Sequence, residues 1–158
     1  MMGSNAFTIS LKRILLPTDG SEGAVRATHA DIEFAKKFEA ELIVLHVIAV
    51  PPTGVAKARL NPGYDVELRE YFESAYRKAD SIVDEVTRLA EAKDVKTTPL
   101  IREYAFSVVK TILEQATKSN IDLIVMGTRG LTGFKELLIG SVSSGVLHRA
   151  HCSVLTAR

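Results

Sequence analysis

Unbroken apolar runs, each followed by a stretch with helical spacing, constrain this chain more than any other feature in it. Arg13-Ile14-Leu15-Leu16-Pro17, Leu42-Ile43-Val44-Leu45-His46-Val47-Ile48 and Ile121-Asp122-Leu123-Ile124-Val125-Met126 are mostly apolar without alternation. A strand with one wet face alternates; a strand covered on both faces does not. These runs therefore predict strands buried in the middle of a layered sheet.

Between them lie the helices. Thr18-Asp19-Gly20-Ser21 has the composition of a turn and cap, and a helix from Glu22 to about Glu39 places Ala27, Ala30, Phe34 and Phe38 near one face. Leu68, Tyr71, Phe72, Ala75, Ala79, Ile82, Val83, Val86 and Leu89 mark a long amphipathic helix. Val95 to Ile101, with its polar residues and Pro99, reads as an edge strand. Val108, Val109, Ile112, Leu113 and Ala116 form another helix, and a last one from Ser141 to about Ala150 precedes a strand at Ser153-Val154-Leu155-Thr156. The stretch PPTGVAKARLNPGYD, with three prolines and two glycines, is too irregular for a helix or strand and reads as a lid or excursion.

The order β-α-β-α-β-α-β-α-β predicts an α/β fold: a doubly wound, five-stranded parallel sheet with helices on both faces. Ligands of such sheets bind beyond the carboxyl ends of the strands, where strand order reverses. That directs attention to Asp19, Val47, Tyr104 and Gly127. A length of 158 residues and 46% hydrophobic content suit a single domain over residues 11–158, with residues 1–10 a flexible N-terminal stretch. A formal net charge of +1 gives no general reason to expect nucleic acid or an anionic membrane as partner. The single cysteine, Cys152, forms no internal disulfide, and no apolar run approaches the length that spans a bilayer. Together these predict a cytoplasmic protein.

After the fourth strand comes GTRGLTGFKELLIGSVSSG, in which two residues separate Gly127 from Gly130 and nine separate Gly130 from Gly140-Ser141. Glycine allows positive φ and close approach of backbone to an anion, and a helix opening at Gly140-Ser141 offers N–H groups and a dipole to phosphate. Ser141, Ser143 and Ser144 add hydroxyls. The alternative on local physics is a plain strand-to-helix connection with Ser141 as N-cap. Neither the G-x-x-x-x-G-K-[ST] nor the G-x-G-x-x-G pattern occurs.

The spacing Gly127-x2-Gly130-x9-Gly140-Ser141, continued by Val142, resembles the signature of ATP-binding universal stress proteins. Ile14 to Ser21, the His46-Val47 pair closing the second strand, and Asp122 to Gly127 resemble the same family. The likeness runs from Lys12 onward and implies a Rossmann-like fold of the adenine nucleotide alpha hydrolase type. It also implies roles. Pro17, Thr18 and Asp19 would border the adenosine, the aspartate near the ribose, although Asp19 also reads as a helix cap. Val47 would contact adenine or serve as core; Met126 and Gly127 would border the nucleoside. Arg129, Gly130, Gly140, Ser141, Val142 and Ser143 would surround the phosphates. The ligand implied is ATP or another adenine nucleotide, with magnesium, in a homodimer formed through the C-terminal edge strand Val154-Leu155-Thr156 and acting on an unidentified protein partner.

Two departures stand out. Arg102-Glu103-Tyr104-Ala105-Phe106 replaces a small glycine turn, so that Tyr104 would stack on or occlude the pocket and Glu103 would repel phosphate if turned inward; Ser153 stands where the family commonly has proline. No positioned base, phosphate lysine and metal carboxylates can be placed at the loop apart from Asp19, which predicts binding and at most slow hydrolysis, with no catalytic residue. The competing readings are a nucleotidyl-transfer enzyme, whose HIGH and SGGxDS motifs are missing, and a nucleotide-free interaction module. His148 and His151 lack further ligands at supporting spacing, so no metal site is expected. Cys152 and His46 read as packed residues, and Lys57 and Arg59 as solvated loop cations.

Overall fold

The computed structural model describes residues 10–49, 64–104, 107–128 and 140–157. Among the described residues nine elements follow in order: β1 (Arg13–Pro17), α1 (Glu22–Phe38), β2 (Glu41–Ala49), α2 (Tyr64–Glu91), β3 (Thr97–Tyr104), α3 (Val108–Lys118), β4 (Leu123–Gly127), α4 (Ser141–Arg149) and β5 (Ser153–Ala157). The five strands form one sheet in the order β3-β2-β1-β4-β5. Every pairing is parallel. The expected doubly wound α/β architecture is therefore present, with β3 and β5 at the edges.

Alternate residues of each strand enter two separate cores. Ile14, Leu16, Leu42, Val44, Leu123 and Val125 pack on one face with Ala27, Ile32 and Ala35 of α1 and Val83, Val86 and Ala90 of α2. Leu15, Ile43, Leu45, Ile124 and Met126 pack on the other with Val109, Ile112 and Ala116 of α3 and Val146 of α4. Both faces are dry, so both sets of alternating positions must be apolar, and the strands read as continuous runs.

Three boundaries differ from the sequence reading. β3 begins at Thr97 and continues to Tyr104, because its backbone follows β2 in register from Leu42↔Thr97 to Ala49↔Tyr104. β2 itself runs past Val47 to Ala49, so the His46-Val47 pair lies inside the strand. The third is α2, which starts at Tyr64, leaving residues 51–63, including Lys57 and Arg59, outside the described residues. Glu39, Asp94 and Asn120, which follow α1, α2 and α3, hold φ of 53°, 60° and 47°. Non-glycine residues here take the left-handed turn that glycine usually supplies.

At the amino ends of the strands, Asp122 ties β1 to β4. Its Oδ2 accepts the N–H groups of Lys12 and Arg13 at 2.8 and 3.0 Å, and its own N–H donates to the Arg13 carbonyl. No helix among the described residues is long and apolar enough to cross a membrane.

Candidate functional site

Strand order reverses between β1 and β4: the chain moves outward from β1 through β2 to β3, then returns to the other side of β1. The two strands share a short ladder, Ile14↔Leu123 and Leu15↔Ile124. On their outer sides the ladders persist, β1 with β2 to Pro17↔Leu45 and β4 with β5 to Gly127↔Ala157. Beyond Leu15 and Ile124, β1 and β4 are each held by their other neighbour. The end of the shared ladder marks the switch point, where open parallel sheets have the crevice that binds ligands.

The β1 side of the crevice is a tightly bonded turn. The Thr18 N–H donates to the Leu45 carbonyl at 2.9 Å, extending the ladder one residue past β1. The Thr18 carbonyl accepts the Nδ1–H of His46 at 2.9 Å, which fixes the imidazole tautomer because a carbonyl oxygen can only accept. Thr18 Oγ1 accepts the Gly20 N–H at 3.3 Å, and Asp19 Oδ1 accepts the Ser21 N–H at 2.9 Å. Gly20 then takes φ +75°, a conformation that suits glycine. Ser21 is the N-cap of α1, its Oγ accepting the Ala24 N–H at 3.3 Å. The capping role considered for Asp19 therefore belongs to Ser21, and Asp19 closes the turn before it.

The β4 side is built by close backbone contact. A Cβ added to Gly127 would lie 2.6 Å from the Gly23 carbonyl carbon and 2.7 Å from its oxygen, so the first turn of α1 rests on the end of β4. Thr128, buried, donates its N–H to Ala157 at 3.0 Å and accepts the Gly140 N–H at 2.6 Å. It also accepts the Ser143 hydroxyl at 3.0 Å. One carbonyl thus anchors the start of α4 against the end of β4.

Gly140, not Ser141, is the N-cap of α4, with φ −69° and ψ 162° and no side-chain capping bond. Any residue can adopt that extended conformation, so positive φ is not the reason for glycine at 140. Ser141 is exposed, while Val142 packs against the α3/α4 core. Ser143 is buried, its hydroxyl within 3.0 Å of both the Thr128 and Gly140 carbonyls, so its proton is committed to the loop backbone. Ser144 accepts Nδ1 of His148 through its carbonyl. The Met126 side chain is core, beside Leu15 and Ile124, which leaves its backbone alone to face the crevice. Pro17 is buried at the end of β1, and Val47 is half-buried against the α3/α4 core. Arg129 and Gly130 lie outside the described residues, as do Ala105 and Phe106.

In the departing segment 102–106, Glu103 lies within β3 and is placed on the α2 side, where Oε1 accepts the Tyr76 hydroxyl at 2.5 Å and raises the pKa of that phenol. Sequence reasoning missed Thr128 and treated His46 as packing; no local pattern marks a carbonyl anchor or a ring nitrogen aimed at another strand's turn. Burial lowers the His46 pKa, against the opposing effects of the Thr18 bond and Asp19 and with a further push from Lys78. Burial raises the Cys152 thiol, which keeps it protonated and unreactive. Among the described residues no group of three His, Cys, Asp or Glu side chains is placed to hold a metal.

A parallel α/β sheet with a crevice at its switch point defines the class of protein, and comparison with known proteins defines the family. The universal stress protein family profile matches residues 10–158. A universal stress protein of Methanocaldococcus jannaschii is 35% identical over 148 residues, spanning 93% of this chain and 82% of that protein. The structure of UspA from Lactobacillus plantarum aligns with TM-score 0.82 at 23% identity, over 96% of this chain and all (100%) of the other. A universal stress protein in complex with cAMP aligns with TM-score 0.68 at 20% identity, over 95% of this chain and 98% of the other. One from Archaeoglobus fulgidus in complex with dAMP aligns with TM-score 0.65 at 14% identity, over 96% and 100%. The chain belongs to the universal stress protein family.

Proposed function

We propose that this chain is an ATP-binding regulator of the stress response, whose nucleotide occupancy changes the state of a homodimer or the surface it offers to a protein partner. The observation that carries this reading is the early end of the β1–β4 ladder at the switch point, beside the Thr18–Asp19 turn and the N-terminus of α4. The cAMP and dAMP complexes of structural neighbours support an adenine nucleotide as the ligand class. In this reading the nucleoside lies along Pro17, Thr18, Asp19, Val47, Met126 and Gly127, and the phosphates lie at Arg129, Gly130 and Gly140 to Ser143. The uncapped first turn of α4 offers backbone N–H groups, and Ser141 its exposed hydroxyl. Magnesium arrives on the phosphates.

Binding rather than turnover is the role. Phosphoryl transfer needs an oriented base and cations on the transferring group, and the ionisable side chains built into the described turn are Asp19 and the largely neutral His46. We assign residues 11–158 to one cytoplasmic domain that dimerises through β5, the sheet edge at Val154-Leu155-Thr156.

The test is acid extraction of freshly purified protein with mass detection of nucleotides, followed by calorimetric titration with ATP and magnesium of the wild type and Gly140→Asp. An aspartate is a good N-cap at φ −69°, so the variant keeps its fold, while its carboxylate repels phosphate. Co-purified adenylate, or saturable ATP binding that Gly140→Asp weakens at unchanged thermal stability, supports the reading. Folded protein with no nucleotide and no binding heat overturns it in favour of an interaction module of the same fold.

A further inference from the structure

We infer that His46 is a positioning residue for the adenosine half of the site, an inference that rests on the adenine-nucleotide reading above. The turn Thr18-Asp19-Gly20 emerges from β1 where its ladder to β4 has already ended, so β4 does not hold it in place. Two bonds, both from β2, hold Thr18 instead: its N–H to the Leu45 carbonyl at 2.9 Å, and its carbonyl from His46 Nδ1 at 2.9 Å. The first is an ordinary ladder bond that any residue at 45 would make. The second depends on the side chain at 46.

Successive residues of β2 face opposite sides of the sheet, so His46 leaves the strand on the α1/α2 side while Val47 leaves it on the α3/α4 side. From there the imidazole reaches over the end of β1. Half-burial keeps the ring neutral near pH 7, Asp19 and Lys78 being the charged groups that act on it from the turn and from α2. The bond requires only a proton on Nδ1, which the neutral Nδ1–H tautomer supplies. Because Asp19 follows Thr18 directly, and the Asp19 carboxylate accepts the Ser21 N–H, the orientation of one carbonyl propagates to the aspartate and to the N-cap of α1. Loss of the imidazole leaves the turn to be ordered by the nucleoside itself, and that ordering reduces affinity.

The experiment measures binding of ATP, adenosine and inorganic tripolyphosphate to wild type, H46N and H46L, with thermal unfolding of each. An asparagine amide places a donor near the position of Nδ1; leucine has none. Expected for H46L is roughly 2- to 10-fold weaker binding, the range spanned by one net hydrogen bond. The factor should be equal for ATP and adenosine and absent for tripolyphosphate, with H46N close to wild type. A loss shared by tripolyphosphate, an H46L affinity equal to wild type, or an H46N affinity as poor as that of H46L overturns the role of His46. Should H46L fail to fold, H46Q, whose amide lies one bond too far out, takes its place with the same expectation. Wild-type protein that binds no adenylate overturns the nucleotide reading itself and this role with it.

Discussion

Asp31 sits in α1 at 0% exposure, and neither carboxylate oxygen has a hydrogen-bond partner among the described residues. Burial raises its pKa well above the ordinary carboxylate value of 3.8. A carboxyl whose folded pKa is raised holds its proton longer in the folded state than in the unfolded one. Its contribution to stability is therefore most favourable below the unfolded value and falls as pH rises through the folded one, with a slope of about 1.4 kcal/mol per pH unit inside that window. Even protonated, an unsatisfied buried polar group costs about 1–3 kcal/mol. Asp31→Ala removes both penalties. It leaves a cavity of about 25 Å³ that costs ~0.6 kcal/mol, and the better helix propensity of alanine offsets a similar amount. The variant is expected to be more stable by about 1–3 kcal/mol near pH 4, with the gap widening as pH rises until the folded pKa is passed. Urea unfolding of wild type, Asp31→Ala and Asp31→Asn at pH 4, 5, 6 and 7 checks this, with Asp31→Asn removing the titration while keeping the polar group. A difference between wild type and Asp31→Ala that does not change with pH, or an Asp31→Ala less stable than wild type, would refute the reasoning.

Gly127→Ala forces a Cβ to within 2.6 Å of the α1 backbone at Gly23, so the helix must shift. A loss of about 1–3 kcal/mol is expected, seen as a fall in Tm of roughly 2–10 °C, together with weaker nucleotide binding. Asp122→Ala removes the acceptor of two backbone N–H groups at the amino ends of β1 and β4, and should cost about 1.5–3 kcal/mol by urea unfolding without changing nucleotide affinity, since it lies at the opposite end of the strands from the crevice.

The apolar runs at β1, β2 and β4 were legible in the sequence because burial on both faces leaves no alternation to misread, and Pro99 in β3 pointed to an edge. The end of β3 was not legible: residues through Tyr104 are strand because β2 pairs with them as far as Ala49. Helix ends at Glu39, Asp94 and Asn120 carried no glycine, so no residue type announced their left-handed turns.

At the site, the glycine spacing located the loop, but only packing explains its residues. Gly127 answers to a helix backbone lying against it, Gly140 is extended at φ −69°, and Ser143 bonds to the loop carbonyls rather than facing outward. By itself the sequence determined the order of elements, the two-sided burial of the central strands and the family signature, because periodicity and turn chemistry act within a few residues. The tertiary structure alone decided that β1 and β4 part beyond Leu15 and Ile124, that His46 reaches the Thr18 carbonyl, and that Asp31 is buried among the described residues without a hydrogen-bond partner. Those relations join residues from separate elements, and their free energies depend on distances and desolvation that no local pattern encodes.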